Sequence, residues 1–97
     1  MPDTADVVVI GGGVIGTSIA LALTQAGVKH VTLLEKSALA SGASGRSSAL
    51  VRMHYTNVED ARLAWASYPL FRDWTERIGG PSVFRRTAFV AVVGPED

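Results

Sequence analysis

Cysteine is absent from the 97 residues. That absence excludes disulfides, thiolate metal sites and a cysteine nucleophile within the chain, and it suits a reducing cytoplasm, the compartment expected for it. An excess of charge of either sign is missing too, since nine Lys plus Arg balance nine Asp plus Glu. Nothing in that balance points to a nucleic-acid partner or a charged membrane surface. Long hydrophobic runs are lacking as well. The apolar run Val7 to Ile10 is far too short for a membrane span or a signal-peptide core, and no basic stretch lies among Met1 to Asp6. No internal repeat is visible, and no metal site is expected.

What remains is a core-forming composition, 47% hydrophobic and 19% charged, with ten glycines. Such a chain folds, and its length allows at most one small domain. It ends at Val93-Gly94-Pro95-Glu96-Asp97, directly after a strand-like segment. A lone βαβ start with one more helix and strand leaves sheet edges and faces uncovered. Residues 1–97 are therefore expected to be the first part of a larger protein, with the rest of the polypeptide or partner subunits completing it.

Asp6-Val7-Val8-Val9-Ile10 is a β-branched run that passes straight into Gly11-Gly12-Gly13. It reads as a strand of a parallel sheet, buried on both faces. Val14 to Ala26 reads as a helix with Ile15, Ile19, Leu23 and Ala26 on one stripe, and Gly27 follows as a left-handed terminator. Val31 to Glu35 is a second strand, so residues 6–35 form a βαβ unit with a right-handed crossover. A small, polar loop spans 36–52. Thr56-Asn57-Val58-Glu59 has the form of a capping box, with Asp60 also in the first turn. A helix from about 58 to 78 is expected after it, kinked or divided at Pro69 and stopped by Gly79-Gly80-Pro81. Residues from about 83 to 93 read as a strand leading toward a substrate domain.

The chemistry lies in Gly11-x-Gly13-x-x-Gly16. The pattern follows a strand, opens a helix and precedes a second strand that ends in an acid, which is the context a dinucleotide-binding turn requires. Gly16 and Glu35 are 19 positions apart, close to the roughly 20 of such sites. Gly11 permits the tight turn, Gly13 lets the backbone approach a pyrophosphate, and Gly16 lets helix and strand pack closely. The helix start at Val14 and Ile15 aims its amides and positive dipole end at phosphate. Glu35, followed by Lys36, accepts hydrogen bonds from ribose hydroxyls and repels a 2′-phosphate.

The glycine turn alone leaves FAD and NAD both open. A simple NAD dehydrogenase is expected to continue promptly into another helix. Here Ser41, Ser44, Gly45, Arg46, Ser47 and Ser48 instead form a Ser/Gly/Ala loop, whose small residues suit a second wrap around phosphates and ribose. Tyr68, Phe71, Trp74 and Phe89 are expected in packing rather than against a cofactor. His54 is expected to be a packed or exposed histidine, and His30 to face solvent.

The runs Asp6-Val-Val-Val-Ile-Gly-Gly-Gly-Val-Ile-Gly16, Leu-Leu-Glu35-Lys36, Ala40-Ser-Gly-Ala-Ser-Gly-Arg46-Ser-Ser and Leu50-Val-Arg52-Met-His54-Tyr55 together resemble the N-terminus of the D-amino-acid-oxidase superfamily. The branch most similar is that of sarcosine oxidase and dimethylglycine dehydrogenase. The resemblance implies an α/β fold of Rossmann type, truncated before a complete substrate domain. It also implies FAD bound in extended form and hydride transfer to flavin from the C–N bond of a small amine or amino acid. Some relatives attach FAD covalently through a histidine where this chain has Arg46, so the resemblance implies non-covalent FAD and leaves Arg46 to face the pyrophosphate. It makes Arg52 the candidate catalytic-site residue, gripping a substrate carboxylate through a bidentate fork. Read from the residues alone, Arg52 suits a surface ion pair equally well. The alternatives to a flavin enzyme are an NAD-dependent dehydrogenase and a non-catalytic nucleotide-binding fragment or subunit. The particular substrate, the electron acceptor and the oligomeric state are left open.

Overall fold

A computed structural model describes residues 4–96. Its elements run β1 (Val7–Ile10), α1 (Val14–Gln25), β2 (Val31–Leu34), α2 (Ala43–Arg46), α3 (Val58–Arg72) and α4 (Trp74–Arg77). They fall into two compact units, Met1–Leu50 and Val51–Asp97.

In the first unit β1 and β2 pair in parallel, with Val7 opposite Val31 and Ile10 opposite Leu34. A parallel pair needs a crossover, and α1 supplies it. The helix begins at Val14 because Gly13, still extended at φ −79° and ψ −174°, serves as its N-cap. It ends at Gln25, with Ala26 as C-cap and Gly27 at φ 92°, a backbone region that glycine enters freely.

Close approach fixes where α1 lies. A Cβ on Gly16 would stand 1.8 Å from the Gly11 carbonyl oxygen and 3.4 Å from Val9 Cγ1. With Gly16 buried and Ala20 and Leu23 half-buried, the packed face is Gly16–Ala20–Leu23. The expected stripe overlaps this face only at Leu23, for Ile15 and Ile19 are 74% and 46% exposed. The strand expected to be buried on both faces also differs, since Val8 and Ile10 are exposed while Val7 and Val9 are half-buried. One helix on a two-stranded sheet covers one face. Among the described residues no hydrophobic side chain is buried. The unit is therefore held by its ladder, the helix and the contact at Gly16 rather than by a core.

In the second unit the helix starts at Val58 as expected, but its cap is Asn57 rather than Thr56. The Asn57 Oδ1 accepts from the Glu59 amide at 2.8 Å and the Asp60 amide at 3.3 Å. The division expected at Pro69 falls at Asp73, since α3 passes through Pro69 and closes with the Asp73 amide on the Pro69 carbonyl at 2.9 Å. Asp73, at φ −106° and ψ 35°, leaves the helical region. Its carboxylate accepts from Arg72 Nε at 2.7 Å and Nη2 at 2.6 Å, and Arg77 lies 3.5 Å away. α3 accommodates Pro69 with the loss of one backbone donor, and the Arg72–Asp73–Arg77 pairs sit where the helix path changes.

Phe84 meets Tyr68 edge-on at 6.1 Å between ring centres and Phe71 at 5.9 Å, while Trp74 stacks on Phe71 at 6.5 Å. The aromatics of α3 and α4 thus pack against each other, as expected. Phe89 stacks on His54 at 5.3 Å. The strand expected over 83–93 is not formed: residues 83–93 are assigned to no strand. An extended segment becomes a strand only beside a partner ladder, and β1 and β2 are the paired strands among the described residues.

Candidate functional site

The glycine turn between β1 and α1 opens one pocket of about 500 Å³. Gly11, Gly13, Val14, Ile15 and Gly16 line it, with Val9, Ile10 and Ile19 beside them. Ala43, Ser44 and Ser47 close it from the loop that follows β2. Five residues of the predicted turn and two of the predicted serines therefore meet in one place.

Gly11 takes a φ of 108°, which an L side chain rarely tolerates, and this bends the chain out of β1. Its amide remains on the ladder through the Leu34 carbonyl at 2.8 Å. Helix α1 has no acidic side chain in its first turn, and Gly13 supplies no side-chain cap. The Val14 amide donates instead to Ser44 Oγ at 2.8 Å. The site thus presents a helix start with no acidic side chain in its own first turn, faced by hydroxyl oxygen and walled by glycine and aliphatic carbon. That donor set suits the anionic middle of a dinucleotide.

Glu35 follows β2 directly and its carboxylate turns back to the glycine turn. Oε2 accepts from the Gly12 amide at 2.7 Å, and Oε1 from the Ser37 amide at 2.9 Å. The Gly12 bond first and the Ser37 bond second hold this carboxyl below the usual carboxylate range, against a smaller opposing effect of desolvation. A carboxylate offers about four lone-pair sites, so acceptor capacity remains for sugar hydroxyls.

The other predicted residues lie elsewhere on the loop. Lys36 follows Glu35 and is exposed. Ser41 closes a turn through its amide on the Ala38 carbonyl at 3.1 Å. Gly45 and Arg46 belong to α2, and a Cβ on Gly45 would stand 2.2 Å from the Ala40 carbonyl oxygen. Ser48 is exposed. None of these five lines the pocket. Arg52 belongs to the second unit, where its guanidinium lies 4.9 Å from the Tyr55 ring centre. That is a cation–π contact rather than the ion pair that the residue type alone suggests.

Two features escaped the sequence. Ser44 reaches Val14 across thirty positions, and no local pattern signals a bond of that span. The Gly12 amide as a partner of Glu35 was equally hidden, although an acid at the end of β2 in a parallel pair lies beside the turn that leaves β1. Among the described residues no group of His, Asp and Glu is arranged to hold a metal ion. No helix among them is long and apolar enough to cross a membrane.

Fold and pocket together define an α/β protein built on a βαβ unit. The family described as FAD dependent oxidoreductase matches residues 6–97. The chain belongs to that family, whose cofactor is FAD, and this sets aside the NAD-dependent alternative. Among curated proteins it is 35% identical over 77 residues to human (Homo sapiens) mitochondrial dimethylglycine dehydrogenase, covering 79% of this chain and 9% of that protein. It is 36% identical over 80 residues to mouse (Mus musculus) mitochondrial sarcosine dehydrogenase, covering 81% and 9%. Mouse mitochondrial pyruvate dehydrogenase phosphatase regulatory subunit is 27% identical over 97 residues, covering 100% and 11%. The chain thus spans about a tenth of the length of these relatives. No solved structure matches it.

Proposed function

We propose that this chain is the Rossmann-type segment that receives the ADP half of FAD in an oxidoreductase acting on the C–N bond of a small N-methylated amine or amino acid. The observation that carries the proposal is the convergence on one pocket of a Cβ-free turn, an acid-free helix start and two serines, with Glu35 bound to the same turn.

In this reading the Ile15 amide faces the diphosphate, the Val14 amide stays on Ser44 Oγ and fixes that hydroxyl beside it, Gly11 and Gly13 keep side chains out of its way, and Gly16 lets α1 pack on β1. Glu35 accepts from the ribose hydroxyls. Ser44 and Ser47 give the diphosphate hydroxyl contacts, while Ser41, Gly45 and Ser48 carry the loop around it, and Lys36 and Arg46 supply positive charge at its edges. Arginine at 46 puts no nucleophilic ring nitrogen at that position, which supports non-covalent FAD. When bound, FAD supplies the hydride acceptor. Arg52, supported on the Tyr55 ring, grips the substrate carboxylate. The substrate class follows the names of the dimethylglycine and sarcosine dehydrogenase relatives. A cytoplasmic location is proposed as well, and fractionation of the source cells tests it against the mitochondrial location in the relatives' names.

The test is the flavin spectrum of the intact protein, wild type against Glu35→Arg. Wild type is expected to purify yellow with FAD released on denaturation, and the variant to lose most of it. Flavin retained in full by Glu35→Arg would contradict the ribose assignment. The regulatory-subunit relative, which matches along the whole chain, favours a second reading as a non-catalytic subunit. Anaerobic addition of N-methyl amino acids separates the two, because only an oxidoreductase bleaches its flavin.

A further inference from the structure

Leu39 is 65% exposed, yet it is not a loose surface side chain. The next residue, Ala40, takes a left-handed φ of 60° and donates its amide to the Gly12 carbonyl at 2.9 Å. The loop is therefore tied to the glycine turn one residue beyond Leu39. Leu39 Cδ2 lies 2.7 Å from the point where a Cβ on Gly12 would stand, and Glu35 Cβ and Cγ each lie 3.1 Å from that point. Leucine and glutamate thus share the one face of buried Gly12 that a side chain would fill. A single exposed leucine needs no explanation in general. This one is held by a left-handed residue and a backbone bond, so an exposed apolar surface stands fixed beside a carboxylate with unused lone pairs.

We propose that Leu39 is a specificity residue for the nucleoside end of the cofactor. Its methyl groups pack against the ribose carbons and the purine face of a nucleotide whose sugar hydroxyls Glu35 accepts. The inference rests on the ribose-binding role of Glu35 proposed above. A nucleoside matches the pair because it joins hydroxyl donors to an apolar ring face. A phosphate group by itself matches neither partner.

The test uses the intact protein freed of flavin, titrated calorimetrically with ADP and separately with inorganic pyrophosphate. Leu39→Ala is expected to weaken ADP binding about tenfold, because the ring face that the leucine methyls would cover stays in water, with pyrophosphate binding unchanged. Leu39→Met, which keeps the volume, is expected to restore ADP binding to within about twofold. Unchanged ADP affinity in Leu39→Ala overturns the proposal. So does an equal loss for ADP and pyrophosphate, which marks a general disturbance of the glycine turn. Wild-type protein that binds neither ligand overturns the Glu35 reading and the role of Leu39 with it. That result differs from a wild type and variant that bind ADP alike.

Discussion

Replacing Gly16 by alanine asks the most of this fold for the smallest change. The added carbon would stand 1.8 Å from the Gly11 carbonyl oxygen and 3.0 Å from the carbonyl carbon. That is about 1.6 Å short of the 3.4 Å where ordinary contact begins. Both atoms are backbone and belong to the turn that forms the pocket, so no rotamer change relieves the clash. Either α1 lifts off β1 or the turn leaves its φ of 108°. Overpacking costs about 1–3 kcal/mol, and a clash with backbone belongs at the upper end, about 3 kcal/mol. The assay is urea unfolding of the intact protein, with Gln25→Ala as control. Gln25 is exposed on α1 and alanine suits a helix, so the control should stay within about 0.5 kcal/mol of wild type. Because the same displacement moves the Val14 amide, Gly16→Ala should also weaken FAD binding. A Gly16→Ala protein as stable as the control, with wild-type FAD affinity, would refute the close-approach argument.

Two further outcomes follow from named bonds. Glu35 has a lowered carboxyl pKa in the fold, so its support of the glycine turn is complete above the ordinary carboxylate value and is lost as pH falls through the lowered one. Retention of FAD, followed by flavin fluorescence during acid titration, should fall in that range, and Glu35→Gln should remove this component of the pH dependence. Asn57→Ala removes the acceptor of two first-turn amides of α3 and should cost about 1 kcal/mol in urea unfolding, whereas Thr56→Ala should cost little.

The βαβ unit was legible because glycines punctuate it. The turn at Gly11–Gly13 and the stop at Gly27 fix α1 to within a residue, and the parallel pairing follows from the β-branched runs around it. The face that α1 packs was not legible, because hydrophobicity singles out Ile15 and Ile19 while contact distance singles out Gly16. In the second unit local chemistry competes within one or two residues. Asn57 outranks Thr56 as cap, and Asp73 breaks the helix that Pro69 leaves intact. Segment 83–93 has the composition of a strand, but pairing is a property of two segments, and composition reports on one. The serines of the loop were legible as polar and small, whereas the bond from Val14 to Ser44 depends on how the loop returns to the turn.

A crystal structure of the intact protein with FAD bound would show whether a diphosphate rests at the start of α1. Diphosphate oxygens should lie at hydrogen-bond distance, about 2.9 Å, from the Gly13 or Ile15 amide and the Ser44 hydroxyl, with the ribose hydroxyls on Glu35. A diphosphate held away from that helix start, or a Glu35 carboxylate facing no sugar, would contradict this placement.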